Sequence, residues 1–152
     1  MSLASVRLYL QTRAPDLSII ETEASSATVA QAAEAHGVTP AEIAKTIALE
    51  ARDTVILLVT SGTARLDNRK FKDRFGAKPR MLDGPRAEAL TGHPVGGVCP
   101  FGLATTLPVF CDESLKGFAE VLPAAGSTNS ALRIAPDRLA ALTQAEWIDV
   151  CQ

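Results

Sequence analysis

The sequence predicts a single α+β domain over residues 1–152, with a curved mixed sheet and peripheral helices. Three observations carry that prediction. The length falls within the ~100–200 residues of one domain. Helix and strand signals are interleaved without strict strand-helix alternation, and neither a repeat nor a linker interrupts them. The longest apolar run, Thr54 to Val59, has the length of a buried strand and falls far short of the ~18–20 residues of a membrane span.

The elements follow in order. Leu3 to Arg13 has helix-like apolar spacing and stops at Ala14-Pro15, because the residue before a proline is pushed out of the helical region. Leu17 to Thr22 reads as a short strand. Thr28-Val29-Ala30-Gln31 has the form of a capping box, and Gly37 supplies the left-handed residue that ends its helix. Thr39-Pro40-Ala41-Glu42 repeats the device with proline at the first helical position, so a second helix is expected up to about Ala44. Lys45 to Glu50 and Thr54 to Thr60 predict a hairpin around the short polar break Ala51-Arg52-Asp53. Asp67 caps a basic helix ending near Gly76, Arg80 to Leu82 is a short strand, and Pro85 opens a helix that ends at Gly92. Gly92 to Gly102 holds four glycines and two prolines in eleven residues, and no regular element survives that composition. Strands are expected at Leu107 to Cys111, Glu120 to Leu122 and Ala131 to Ile134, the last after the small-residue loop Ala124 to Asn129. Pro136 to Leu142 should be a helix and Glu146 to Cys151 a closing strand.

Composition removes several function classes. Cys99, Cys111 and Cys151 are widely spaced with no C-x-x-C pair, and the only histidines are His36 and His93, so neither a disulfide framework nor a zinc site can be assembled. The N-terminus lacks the basic, apolar and small-residue regions of a secretion signal, and a cytosolic home is expected. A net charge of −2 argues against coating nucleic acid by bulk charge. The charge is segregated, however: Arg65 to Arg80 carries seven basic residues against Asp67 and Asp73. That segment is either a solvated helix face or a guide for a phosphate backbone. No G-x-S-x-G elbow, P-loop, Rossmann fingerprint or H-E-x-x-H is present.

Two glycine-rich loops and one lysine remain. Lys45 opens an otherwise apolar strand, so its ammonium either snorkels to the surface or meets an anion at the sheet's end. The Val95 to Gly102 loop either forms turns or presents backbone N–H groups unshielded by side chains, as an oxyanion or phosphate site requires. His93 is either a base or a structural histidine, and Cys99 either a nucleophile or a small buried thiol.

Taken together, Ala44-Lys45-Thr46-Ile47, Arg65-Leu66-Asp67, the Thr91 to Gly102 loop and the late Ala125-Gly126-Ser127 loop resemble the YbaK family. Its members are freestanding aminoacyl-tRNA deacylases similar to the editing insertion domain of bacterial prolyl-tRNA synthetases. The likeness runs from roughly Thr28 to Leu139, with the glycine-proline loop its most specific part. It implies a mixed, barrel-like sheet, no metal or other cofactor, and hydrolysis of an amino acid wrongly esterified to tRNA, usually tRNA(Pro). It further implies that Lys45 is functional, and with it backbone amides around Gly97 and Val98 are expected to carry catalysis by polarising the ester carbonyl. Thr46, His93, Gly96, Cys99, Pro100, Phe101 and Gly102 would contact the aminoacyl pocket, with Gly126, Ser127 and Asn129 as another wall. The cysteine-removing branch has a Gly-Gly-Lys-Arg-Gly-like late loop followed by an acid, whereas Ala131 stands at that place here. Alanine or another small residue is therefore as open as cysteine.

An aminoacyl ester is already activated, so positioning, oxyanion stabilisation and access for water or the terminal ribose hydroxyl suffice. The expected partner is the 3′ end and acceptor stem of an aminoacyl-tRNA, touched by Arg69, Lys70, Lys72 and Arg74 or presented by a prolyl-tRNA synthetase; no membrane is expected. Two competing readings stay open, a tRNA or synthetase adaptor without catalysis and an esterase for small activated esters.

Overall fold

The computed structural model describes residues 2–152. Helix α1 (Ser2–Arg13) leads to strand β1 (Ile20–Glu21), helix α2 (Val29–His36) and the hairpin of β2 (Ile43–Ala51) and β3 (Thr54–Ser61). Helix α3 (Asn68–Phe75), strand β4 (Arg80–Met81) and helix α4 (Gly84–Thr91) follow, then the glycine-proline loop. Strand β5 (Val109–Asp112), the two-residue strands β6 (Leu122–Pro123) and β7 (Ser130–Ala131), helix α5 (Pro136–Thr143) and strand β8 (Glu146–Ile148) complete the chain.

The main sheet runs β4-β2-β3-β5-β8, with β6 also on β2; β1 and β7 form a separate pair. The β2–β3 and β2–β4 pairs are antiparallel, whereas β2–β6, β3–β5 and β5–β8 are parallel. The α+β class and the mixed sheet are therefore those expected. The sheet is open and does not close into a barrel, because β4 and β6 occupy one edge and β8 the other.

Strand β3 explains its unbroken apolar run. Ile56, Leu57, Leu58 and Val59 are all buried because both sheet faces are covered. One face carries Ala44, Ala48, Leu57 and Val59 against Val6 and Leu10 of α1 and Leu139 of α5. The other carries Leu49, Ile56 and Leu58 against Phe71 of α3 and Val150. Fully burying a ring such as Phe71 contributes about 1.5–3 kcal/mol.

Local signals act largely as expected. The Thr28 hydroxyl accepts from the Gln31 amide, the Asp67 carboxylate from the Arg69 and Lys70 amides, and Gly37, Gly76 and Gly92 end their helices in left-handed backbone. Several expectations are corrected, and the strands expected at Glu120 to Leu122 and Ala131 to Ile134 are only the two-residue β6 and β7. The second capping box is complete, with Glu42 Oε1 accepting from the Thr39 N–H at 2.9 Å, yet it caps only a 3-10 turn, Pro40–Glu42. Pairing takes Ile43 into the sheet at once, so no helix reaches Ala44. The strand expected over Leu17 to Thr22 shrinks to Ile20–Glu21 because its partner β7 offers only two residues. The closing strand stops at Ile148, where the Val150 N–H turns to the buried Asp112 carboxylate at 2.9 Å.

Candidate active site

Strand β2 is incompletely paired along its outer edge. Strand β6 covers Ile43 and Ala44, and β4 covers Leu49 and Glu50, so no strand covers Lys45 to Ala48 between them. A cleft of about 330 Å3 occupies that gap. Seven alanines, from Ala27 and Ala32 to Ala44, Ala48, Ala87, Ala124 and Ala131, make most of its small-residue wall. Among the described residues that line it, none is an acid, histidine or cysteine. No group of three or more potential metal-ligating side chains forms among the described residues.

Lys45 lines the cleft, and its Nζ donates to the Ala64 carbonyl at 2.9 Å. Alternation along β2 puts its stem on the same face as Ile47 and Leu49. Thr46 also lines the cleft, and its Oγ1 is buried without a hydrogen-bond partner among the described residues.

From the glycine-proline loop, Val95, Gly96 and Val98 reach the cleft. Gly96 must be glycine: its φ is +89°, and a Cβ there would stand 2.6 Å from that of Ala27. The Gly97 amide is already committed to the Pro94 carbonyl at 2.9 Å, so it is not a free oxyanion donor; the Val98 amide has no such bond among the described residues. The Gly97 carbonyl accepts from the Gly126 N–H at 3.1 Å, joining the two loops.

His93, Cys99, Pro100 and Phe101 sit behind the wall rather than on it, all buried, and Gly102 presses against the Ser5 carbonyl of α1. His93 Nε2 lies 2.7 Å from the Phe101 carbonyl and 3.5 Å from Cys99 Sγ. Burial lowers the His93 pKa, against a smaller opposing effect of the Phe101 bond, and the neutral imidazole donates to that carbonyl. Burial pushes the Cys99 thiol up to about 12, so it carries no thiolate at neutral pH. These residues brace the loop from within.

The late loop behaves similarly. Gly126, Ser127 and Asn129 are not on the cleft wall; they hold it, with Ser127 Oγ 2.6 Å from Ser130 Oγ and Asn129 Nδ2 donating to the Thr22 carbonyl at 2.9 Å. The wall itself is Ala124, Ser130 and Ala131. On α3, Lys70 pairs with Asp149 at 3.1 Å and Arg74 with Glu146, whereas Arg69 and Lys72 form no ion pair among the described residues.

Sequence reasoning missed Ser26 to Val29, Ala44, Ala48, Met81 and Leu82 as cleft residues. The Ala44-x-Thr46-x-Ala48 alternation of small side chains was the available signal, since a strand face built so small leaves room for a ligand.

Residues 23–142 match the family described as the aminoacyl-tRNA editing domain. Over 154 aligned positions the chain is 46% identical to YwhH, an uncharacterized protein of Bacillus subtilis, covering 100% of this chain and 98% of that one. It is 27% identical over 120 residues to EbsC of Enterococcus faecalis, named as a candidate Cys-tRNA(Pro)/Cys-tRNA(Cys) deacylase, covering 78% of this chain and 73% of EbsC. A crystal structure described as a candidate trans-editing enzyme for prolyl-tRNA synthetase superposes with a TM-score of 0.91 at 34% identity, over 99% of this chain and 97% of that one. With the motifs, the open mixed sheet and these likenesses in agreement, the chain belongs to the aminoacyl-tRNA editing domain family.

Proposed function

We propose that the protein is a trans-editing deacylase that hydrolyses the ester of tRNA(Pro) carrying a small, uncharged, non-cognate amino acid. The observation that carries this reading is the cleft: alanine-lined, free of acids, and set between Lys45 and the Gly96–Val98 turn. Such a cleft binds a small side chain by contact and provides no acid to hold a basic one. The names carried by EbsC and by the trans-editing structure support the same substrate class.

The absence of an acid or histidine among the described lining residues fits the chemistry of an activated ester. Water adds to the carbonyl carbon, oriented by the neighbouring ribose hydroxyl, which relays its proton, and the carbonyl π pair moves onto oxygen. The intermediate collapses as the ester C–O bond breaks, and the ribose oxygen leaves with the proton released by the nucleophile. The Val98 amide is available as an oxyanion donor, and the Lys45 ammonium binds the terminal nucleoside or its phosphate. One methylene in an apolar pocket is worth only about 1–3 kcal/mol, so several small amino acids should be accepted and proline excluded by shape.

Single-turnover deacylation of tRNA(Pro) charged with Ala, Ser, Cys or Pro tests the reading, using wild type and Lys45→Ala. Rapid loss of a small amino acid with Pro-tRNA(Pro) spared is expected, with a clear loss of rate or of tRNA affinity in Lys45→Ala. No cleavage of any of them would refute the reading in favour of a tRNA-binding adaptor, and equal turnover of free amino-acid esters would favour a general esterase. A substrate ending in 2′-deoxyadenosine tests whether the ribose hydroxyl takes part.

A further inference from the structure

The gap in β2 is a missing rung of the sheet with a definite polarity. The hairpin closes at the Ala51↔Thr54 pair with two residues between, so Ala51, Leu49, Ile47 and Lys45 exchange hydrogen bonds with β3. The intervening residues turn their backbone groups outward, as the Leu82 N–H donating to the Ala48 carbonyl at 3.1 Å demonstrates. At Thr46 both the N–H and the C=O therefore face the cleft, where no strand meets them. Thr46 is half-buried, and an unpaired donor and acceptor on one residue amount to half of an antiparallel rung. The unpartnered Thr46 Oγ1 beside them is a second polar group awaiting a ligand.

We propose that the aminoacyl group of the substrate completes this rung, with its α-ammonium donating to the Thr46 carbonyl and its ester carbonyl accepting from the Thr46 N–H. The proposal rests on the deacylase reading above. An amino acid is the ligand that such an edge fits, because its own amine and carbonyl are the complementary half. The pairing makes the Thr46 amide an oxyanion donor alongside that of Val98, at a loop whose Gly97 amide is already spent. It also sets handedness. Residues opposite one another in a rung put their side chains on the same face, so an L-side chain falls beside Thr46, Ala44 and Ala48, where the wall is small. A D-side chain would be sent to the face of Lys45 and Ile47.

The test uses the intact protein with 3′-(L-alanylamino)-3′-deoxyadenosine, whose amide resists hydrolysis, and reads amide hydrogen exchange by NMR. The Thr46 N–H should exchange freely in the unbound protein and slow by about tenfold or more at saturation, while the Ile47 N–H, bonded to β3, is slow in both. The propionyl analogue, which lacks the α-amine, should bind about 10- to 100-fold more weakly. Unchanged Thr46 exchange while the Val98 resonances move, or equal affinity for the propionyl analogue, would overturn the rung and leave the deacylase reading standing. If neither analogue perturbs the cleft, the rung and that reading fall together.

Discussion

Replacing Gly97 by alanine separates the seam between the two loops from everything else in the fold. The added Cβ would stand 2.8 Å from Ser127 N, 2.9 Å from Ser127 C and 3.0 Å from Gly126 C, all backbone atoms with no rotamer to yield. Restoring ordinary contact needs roughly half an ångström of separation. The Gly126 N–H to Gly97 carbonyl bond of 3.1 Å lies on the same seam. Gly97 has no left-handed backbone, so the perturbation is purely steric. Overpacking of this kind costs about 1–3 kcal/mol, which at about 2–4 °C per kcal/mol lowers Tm by about 2–12 °C. The displaced atoms carry Val98 on one side and Ser130 on the other, and sub-ångström misplacement of a substrate should cost about tenfold or more in rate at 25 °C. Thermal melts followed by circular dichroism and single-turnover deacylation measure the two effects. Gly117→Ala, with nothing within 4 Å of the new Cβ, is the control and should stay within about 0.5 kcal/mol of wild type. Wild-type Tm and rate in Gly97→Ala would refute the interlock, and a lowered Tm with an unchanged rate would show that the seam supports the fold without positioning the cleft.

The histidine behind the loop makes stability pH-dependent. Burial lowers the His93 pKa, and His36 is lowered by burial and by the Arg133 charge, so the unfolded chain takes up protons first as pH falls. Stability is then full above about pH 6.5 and is lost as pH falls through the depressed folded values. The Tm of wild type should drop more steeply from about pH 7 to about pH 5 than that of His93→Gln, and parallel curves would count against the buried neutral imidazole. Because burial holds Cys99, Cys111 and Cys151 at about 12, iodoacetamide at neutral pH should leave deacylation intact, and inactivation of the folded enzyme would show a reactive thiol. On α3, neutralising Arg69 and Lys72 should lower the slope of log affinity against log salt by about one for each tRNA phosphate left without its cation. Neutralising the ion-paired Lys70 and Arg74 should change it less, and the opposite order would move the tRNA path off the unpaired side chains.

Capping residues, proline and glycine stops and the apolar run of β3 made most elements readable, because each acts within a few residues of itself. The failures were all cases of pairing. Ile43 to Ala44 has a helix start before it but enters the sheet because β3 and β6 receive it. Leu17 to Thr22 has strand character but only two partner residues. The same division runs through the site. Lys45 and the glycine loop stand out because a lysine in an apolar strand and four glycines in eleven residues are locally anomalous. His93 and Cys99 could be read from sequence as structural or as reactive, and burial behind the wall makes both structural, while the alanines that form the wall carry no anomaly at all.

By itself, the sequence determined the α+β class, the hairpin, the two loops and the lysine that stands in an apolar strand, since propensity, capping and turn chemistry are written into neighbouring residues. The tertiary structure alone decided that β4 and β6 stop short of one another on β2, leaving Lys45 to Ala48 open beside the cleft. It alone decided which face of the glycine loop meets that cleft and which is locked against Gly126 and Phe101. Those outcomes depend on which distant strand runs out of length and which backbone atom takes up a given N–H, and no local stretch of residues contains both partners.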